Sequence, residues 1–322
     1  MTTKHVICVS STVPRLSSVV RQLLPSAEVI DATPDTDGKF EIPLNTEVLF
    51  GDTPSIISHI KKEKGELKWA QSTWAGVESI FKAFTKPPEG VILTRMGEGF
   101  GRLMAEYVVG HIFVKELSVL NLHQQQKEKL WDKSPVQGRR LLTSLTIGIL
   151  GVGSISTEIA RLCKAVGMTV WGLSRSTKKH IPAFDHLTTL ADLSSFLAGC
   201  DYICNVLPGT PETTNMLSGD VLKCCKSKRP IFINVGRGSI ISEESLLSAL
   251  ENKWIGGALL DVFSKEPLPP ESPLWSHSCV TVTPHISGPS VAESIAEAFV
   301  KNYEKYTNKQ RLNYIIDWTK GY

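Results

Sequence analysis

The stretch from Leu145 to Ser176, LTIGILGVGSISTEIARLCKAVGMTVWGLSRS, constrains the fold more than any other part of the chain. A short apolar run, Leu145–Leu150, has the length of a buried parallel strand. Gly151-Val152-Gly153-Ser154-Ile155-Ser156 follows, with Ile159, Ala160, Leu162 and Cys163 then recurring at helical spacing. A second apolar run, Met168–Leu173, completes a strand, glycine turn, helix and strand. In that setting a G-x-G-x-x-G pattern binds a dinucleotide. Gly151 permits the tight turn. Gly153 lets the backbone approach a pyrophosphate whose charge rests on the helix N-terminus. Ser156 stands where glycine or alanine is usual and is still small. The glycines alone would suit an ordinary loop, so the flanking elements carry the reading.

The residues after the second strand bear on which dinucleotide. An NAD site places a carboxylate about 20 positions beyond the glycine turn, on the ribose hydroxyls. Here Ser174, Arg175, Ser176 and Thr177, followed by Lys178, Lys179 and His180, offer none. A guanidinium among hydroxyls suits a 2′-phosphate, which arginine holds in two bonds. NADP(H) is therefore expected, with NAD(H) bound less well. A solvated basic loop is the other meaning of these residues.

The chain has 322 residues, room for two domains with separate cores. Its hydrophobic fraction of 42% and charged fraction of 21% are those of an ordinary globular protein. A net charge of +3, well dispersed, argues against nucleic acid or membrane partners. The seven cysteines are odd in number and show no metal-ligand spacing, which implies reduced thiols and no metal. Met1–Ile7 runs straight into a strand, so no signal peptide, transit peptide or membrane span is expected, and the reading is cytoplasmic.

Ahead of the glycine turn, Val6–Val9, Glu28–Ile30, Val48–Phe50, Lys68–Ala70 and Val91–Thr94 read as strands, with helices at Leu16–Leu24 and Pro54–Ile60. Gln71–Glu78 (QSTWAGVE) lies between a strand and a helix. It is either an anion-binding turn or a simple turn with a core tryptophan. A long helix is expected from Phe100 to about Leu130, with Met104, Tyr107, Val108, Phe113, Leu117 and Leu120 on an apolar stripe. Gln124–Lys129 reads as a solvated face leading to a protruding Trp131. Further strands are expected at Tyr202–Leu207, Ile231–Val235, Gly257–Asp261 and Val280–Thr283. Helices fall at Leu190–Leu197, in part of Pro211–Lys226, and at Glu243–Asn252. A last helix begins near Pro289, with Val291, Ile295, Ala298 and Phe299 on one face. The fold class is α/β: two Rossmann-like or flavodoxin-like domains with doubly wound parallel sheets and an active-site cleft between them. Residues 1–96 plus 290–322 make the substrate-binding (catalytic) domain, and 97–289 the dinucleotide-binding domain.

Ligands of such sheets bind beyond the carboxyl ends of the strands. Three candidates fall there: Arg237 after IFINVG, Glu266 past ALLDVF, and His285 after VTVTP. Arg237, between Gly236 and Gly238, presents a planar fork that matches a carboxylate. His285 is the natural proton donor, and Glu266, if it reaches the ring, would hold it ready to donate. Each residue alone has a bland reading as a surface or core side chain. Together, beside a dinucleotide turn, they read as a site.

GVGSIS at 151–156, NVGRGSIISEESLLSAL at 234–250, GGALLDVFSKEPLP at 256–269 and VTVTPHISGPS at 280–290 make the chain resemble the D-2-hydroxyacid dehydrogenase family from end to end. WAGVE at 74–78, LTRM at 93–96, MAEYV at 104–108, LSRS at 173–176 and the ending IIDWTKGY are most similar to its NADPH-dependent glyoxylate/hydroxypyruvate reductases. The resemblance implies reduction of a small 2-keto acid, with Arg237 on the carboxylate and His285 as acid, supported by Glu266. It implies that the Gly76 and Val77 amides hold the carboxylate, and that Ser154 and Ile155 meet the pyrophosphate. Ser174, Arg175 and Ser176 fall to the 2′-phosphate and Leu207, Pro208 and Thr213 to a covering loop. Val235 and Arg237 fall to the nicotinamide pocket, and Asp261 to the carboxamide. It further implies a homodimer through the helix near Phe100–Leu130, with Trp131 reaching the partner's pocket. A dinucleotide-sensing corepressor or scaffold on the same fold is the other class of function that fits.

Overall fold

The computed structural model describes residues 5–34, 40–176, 180–319 and 321. The expectations for Met1–Lys4, for Thr177, Lys178 and Lys179, and for Lys320 and Tyr322 of the terminal motif lie outside the described residues. The chain divides into two compact units, Met1–Phe100 with Pro289–Tyr322, and the inserted segment Gly101–Gly288.

In the first unit the alternation of apolar runs and helices produces β1 (Val6–Ser10), α1 (Leu16–Leu23), β2 (Glu28–Asp31), β3 (Val48–Gly51), α2 (Thr53–Glu63), β4 (Trp69–Ser72), α3 (Glu78–Ala83) and β5 (Ile92–Thr94). The five strands pair in parallel in the order β2-β1-β3-β4-β5, the flavodoxin-like arrangement. Strands buried on both faces must be apolar throughout, and Val48, Leu49 and Phe50 are fully buried.

The second unit begins with α4 (Gly101–Glu116) and α5 (Val119–Lys127). It continues with β6 (Thr146–Leu150), α6 (Ser154–Ala165), β7 (Thr169–Ser174), β8 (His186–Thr189), α7 (Leu193–Ala198), β9 (Tyr202–Asn205), β10 (Ile231–Asn234), α8 (Glu243–Glu251), β11 (Gly257–Leu260) and β12 (Val280–Val282). All seven strands are parallel, in the order β12-β11-β10-β9-β6-β7-β8. Order reverses between β6 and β9, which is the topological switch point of a doubly wound sheet. The last helix, α9 (Ala292–Thr307), belongs to the first unit. Its Phe299 stacks on Phe50 at 4.4 Å and on Trp69 at 5.3 Å between ring centroids. The Trp69 indole donates to Thr94 Oγ1 at 2.8 Å, so its polar edge is satisfied inside this aromatic core.

Three expectations change. The long helix from Phe100 is two helices, because Ser118 takes a left-handed backbone (φ 52°) and its hydroxyl donates to the carbonyl of Pro135 at 2.7 Å. The end of α4 is anchored at Glu116, which accepts from the Tyr202 hydroxyl at 2.6 Å and pairs with Arg140. The apolar stripe divides with it: Met104 and Val108 are buried, whereas Phe113 and Leu120 are exposed. Between Pro211 and Lys226 only a 3-10 turn, Val221–Cys225, forms, and Gly219 lies in the left-handed region (φ +66°). Strand β8, with the sequence HLTT at the sheet edge, carries too little apolar signal to be read from sequence.

All seven cysteines are unpaired, and burial pushes the thiols of Cys8, Cys163 and Cys200 up to about 12, so these behave as small hydrophobes. Among the described residues no helix is long and apolar enough to cross a membrane.

Candidate active site

The cofactor turn lies at the switch point of the second sheet. Gly151 leaves β6 with φ +102°, a conformation that costs a residue with a side chain, and a Cβ there would press on Leu207 Cδ2 at 3.2 Å. A Cβ on Gly153 would meet nothing within 4 Å, so the space in front of this exposed backbone is open. Helix α6 starts at Ser154, which is exposed, and Ile155 follows half-buried. First-turn amides of a helix have no acceptor within it and suit an anion. Ser156 is buried. Its hydroxyl accepts from the Gly153 amide at 2.6 Å and donates to the Gly153 carbonyl at 3.0 Å, closing the turn. The third fingerprint position is thus a cap as well as a small packing residue.

At the end of β7, Ser174 is buried and its hydroxyl donates to the Ser176 carbonyl at 2.6 Å, so it shapes the turn. Arg175 and Ser176 are exposed. Across from them, in the loop after β9, the Glu212 carboxyl sits below its ordinary value through the Thr210 hydroxyl, its own amide and the Arg175 guanidinium. In the same loop Thr213 Oγ1 donates to the carbonyl of Pro208 at 2.6 Å and accepts from the Thr210 amide at 2.9 Å. Leu207 and Pro208 are half-buried beside it. An open glycine turn on a helix N-terminus, with an exposed arginine and no carboxylate at the end of β7, fits a phosphate-bearing dinucleotide.

Arg237, Glu266 and His285 follow β10, β11 and β12, three neighbouring strands of one sheet. The flanking glycines are demanded by close approach. A Cβ on Gly236 would lie 2.8 Å from Asn205 Nδ2, and one on Gly238 would lie 1.9 Å from the Phe263 carbonyl carbon. Arg237 is half-buried between them, with Nη1 donating to the Gly236 carbonyl at 2.7 Å. Val235 is buried at 4% exposure, with its amide on the Asn205 carbonyl at 3.2 Å. Two residues that sequence reasoning missed fix these loops: Asn205 Nδ2 donates to Asn234 Oδ1 at 2.8 Å, and Asn234 Nδ2 donates to the Arg237 carbonyl at 3.1 Å. Asparagine ending two adjacent buried strands is the signal that could have found them, since it is depleted in strands and must be satisfied when buried.

His285 has a left-handed backbone (φ 55°), uncommon for a residue with a side chain and held only where its surroundings over-determine it. Its exposed ring places Nδ1 at 2.7 Å from Glu266 Oε2, and Glu266 Oε1 accepts from the Phe263 amide at 2.9 Å. A carboxylate only accepts, so Nδ1 is the donor of this pair and Nε2 is the nitrogen left for chemistry. Asp261 directly follows β11. Its carboxylate is fully buried and accepts from Thr283 Oγ1 (2.6 Å), the Ile286 amide (2.8 Å) and the Ser287 amide (2.8 Å). It builds the His285 loop.

In the first unit, Asp52 at the end of β3 accepts from the hydroxyls of Ser11 and Thr73 at 2.6 Å each and from the Thr12 amide at 2.8 Å. Beside it Ser72 Oγ takes the Trp74 amide at 3.0 Å, and the Met96 amide donates to the Trp74 carbonyl at 3.0 Å. The turn is therefore held by buried polar groups, and Trp74, 40% exposed, is not a core residue. Gly76 is half-buried and Val77, the N-cap of α3, is buried.

The NAD-binding domain of the D-isomer specific 2-hydroxyacid dehydrogenases matches residues 111–287 of this chain. A D-isomer specific 2-hydroxyacid dehydrogenase family protein from Aeromonas salmonicida subsp. salmonicida is similar at 32% identity and a TM-score of 0.85, over 98% of this chain and 100% of that one. The NADPH-dependent glyoxylate/hydroxypyruvate reductase of Sinorhizobium meliloti, solved with NADP and sulfate, is similar at 26% identity and a TM-score of 0.84, over 99% of this chain and 100% of that one. A D-isomer specific 2-hydroxyacid dehydrogenase from Xanthobacter autotrophicus, solved with NADPH and MES, is similar at 26% identity and a TM-score of 0.86, with the same coverage. With glycine turn, strand-end residues and these likenesses in agreement, the chain belongs to the D-isomer specific 2-hydroxyacid dehydrogenase family, and its second unit carries that family's NAD-binding domain.

Proposed function

We propose that the protein reduces small 2-keto acids, glyoxylate and hydroxypyruvate among them, to 2-hydroxy acids of D configuration where a stereocentre forms, using NADPH. The observation that carries the reading is the His285–Glu266 pair at 2.7 Å, on the same sheet edge as the glycine-flanked Arg237. When bound, the dinucleotide supplies the hydride. Arg237 takes the substrate carboxylate in two bonds and draws charge from the adjoining carbonyl. The Gly76 and Val77 amides of the first unit are assigned to substrate binding. His285, held at Nδ1 by Glu266, delivers the proton from Nε2 to the carbonyl oxygen. The preference for NADPH rests on Arg175 and Ser176 at the end of β7 and on the relatives solved with NADP or NADPH.

We place the enzyme in the cytoplasm, in keeping with its unpaired thiols, and assign it a homodimer. Helix α5 buries none of its residues and exposes Val119, Leu120 and Leu122, with Trp131 beyond it at 93% exposure. A second copy of the chain is the occupant assigned to this apolar surface.

The test follows NADPH absorbance with glyoxylate, hydroxypyruvate, pyruvate and phenylpyruvate, with NADH in parallel. Turnover of the small acids, faster with NADPH, is the expected result. NADPH binding without turnover of any acid would overturn the reading in favour of a sensing or scaffold role.

A further inference from the structure

We propose that Tyr107 is a positioning residue for this reaction: its hydroxyl, acting through Thr283 and Asp261, fixes the loop that carries His285. The inference rests on the reading of His285 as the acid.

Hydrogen accounting gives the chain of bonds its direction. Thr283 Oγ1 lies 2.6 Å from Asp261 Oδ1 and 2.6 Å from the Tyr107 hydroxyl. The carboxylate can only accept, so the single Thr283 hydrogen goes to Asp261. Its oxygen is then left to accept, and Tyr107 is the donor. Beyond Asp261 the bonds divide along the loop: the Ile286 amide to Oδ1, the Ser287 amide to Oδ2, and the His285 amide to the Asp261 carbonyl at 2.9 Å. Three successive amides thus hang on one buried residue, around the left-handed His285.

Tyr107 ties this assembly to α4, where Met104, Ala105 and Val108 on neighbouring positions are buried. A site residue is held most accurately when its support comes from a packed helix rather than a loop. Burial, together with the Asp261 charge, pushes the Tyr107 phenol up to about 12, so it stays a donor at every working pH. His111, one turn further along α4, packs against the Tyr107 ring at 4.5 Å and limits its rotation.

The test compares Tyr107→Phe, Thr283→Val and Thr283→Ser in the full chain. Small displacements of a reacting group cost rate steeply, and a lost internal hydrogen bond loosens the loop. We expect kcat with glyoxylate and NADPH to fall roughly five- to twentyfold in Tyr107→Phe and Thr283→Val. KM for glyoxylate and the Kd for NADPH should stay within about twofold, and Thr283→Ser should regain most of kcat. Amide exchange across residues 280–288 should quicken in the first two variants, with thermal midpoints close to wild type. A kcat within about twofold of wild type in either variant overturns the proposal, as does an equal loss in Thr283→Ser and Thr283→Val. If the wild type reduces no keto acid, the functional reading has failed by itself. The exchange rates then decide the bond chain alone, and unchanged exchange overturns it.

Discussion

Glu266 holds His285 by one oxygen and is itself held by the other: Oε2 lies 2.7 Å from the imidazole Nδ1, and Oε1 accepts the Phe263 amide at 2.9 Å. The carboxylate is therefore fixed before it orients the ring, and the ring presents a defined nitrogen. A glutamine here has one accepting oxygen in place of two, so it could keep only one of these contacts. Glu266→Gln should lower kcat roughly 10- to 100-fold. KM for the keto acid should change little, because Arg237 is untouched. Steady-state kinetics with glyoxylate checks this, and an unchanged kcat would remove Glu266 from the mechanism.

Arg175 is exposed at the end of β7, where a carboxylate would stand in an NAD-selective site. A charge-assisted bond to a phosphate is worth about 1.5–3 kcal/mol. Arg175→Ala should therefore raise the Kd for NADPH roughly 10- to 100-fold while leaving NADH binding nearly unchanged. Titration of protein fluorescence with each nucleotide measures both constants. An equal loss for the two would show that the 2′-phosphate is held elsewhere.

Stability should fall in two distinct windows as pH drops. The His59 ring is 7% exposed with Nε2 buried and unpartnered, and burial holds its pKa below 6.5 in the folded chain. Protonation then favours the unfolded state, so stability complete above pH 6.5 is lost as pH falls below it. Burial lowers His111 in the same way. Glu47 behaves as a paired carboxylate: burial raises its pKa, but the His5 and Tyr306 hydrogen bonds outweigh this and lower it from 4.5, so its contribution is lost only at more acid pH. His59→Phe should flatten the decline of the unfolding free energy, measured by urea titration, as pH falls below 6.5, by at most ~1.4 kcal/mol per pH unit. A slope identical to wild type in that range would contradict the assignment.

Much of this was legible in the sequence because both sheets are parallel. Strands covered on two faces read as unbroken apolar runs, and the glycine turn at residues 151–153 marks the switch point of the second sheet. Arg237, Glu266 and His285 were legible for the same reason, since each follows such a run and falls at its carboxyl end. What stayed hidden is tertiary. The long helix breaks at the left-handed Ser118, whose hydroxyl is bound to the Pro135 carbonyl, just after Glu116 is bound to Tyr202 and Arg140, contacts that no helical periodicity records. Tyr107 sits in an apolar stripe and looks like core, while its partner Thr283 is 176 positions away. The bond of the Ser174 hydroxyl to the Ser176 carbonyl and the bonds that Asp261 accepts from the His285 loop have no sequence signal either.

The central claim, that His285 is the proton donor of an NADPH-dependent keto acid reductase, is tested most directly by His285→Asn measured beside the wild type. The asparagine can still accept from its neighbours but cannot protonate the carbonyl oxygen near neutral pH. With glyoxylate and NADPH the variant should turn over at least roughly 100-fold more slowly, and its Kd for NADPH should remain within about twofold of wild type. A variant that consumes NADPH as fast as the wild type would contradict the account.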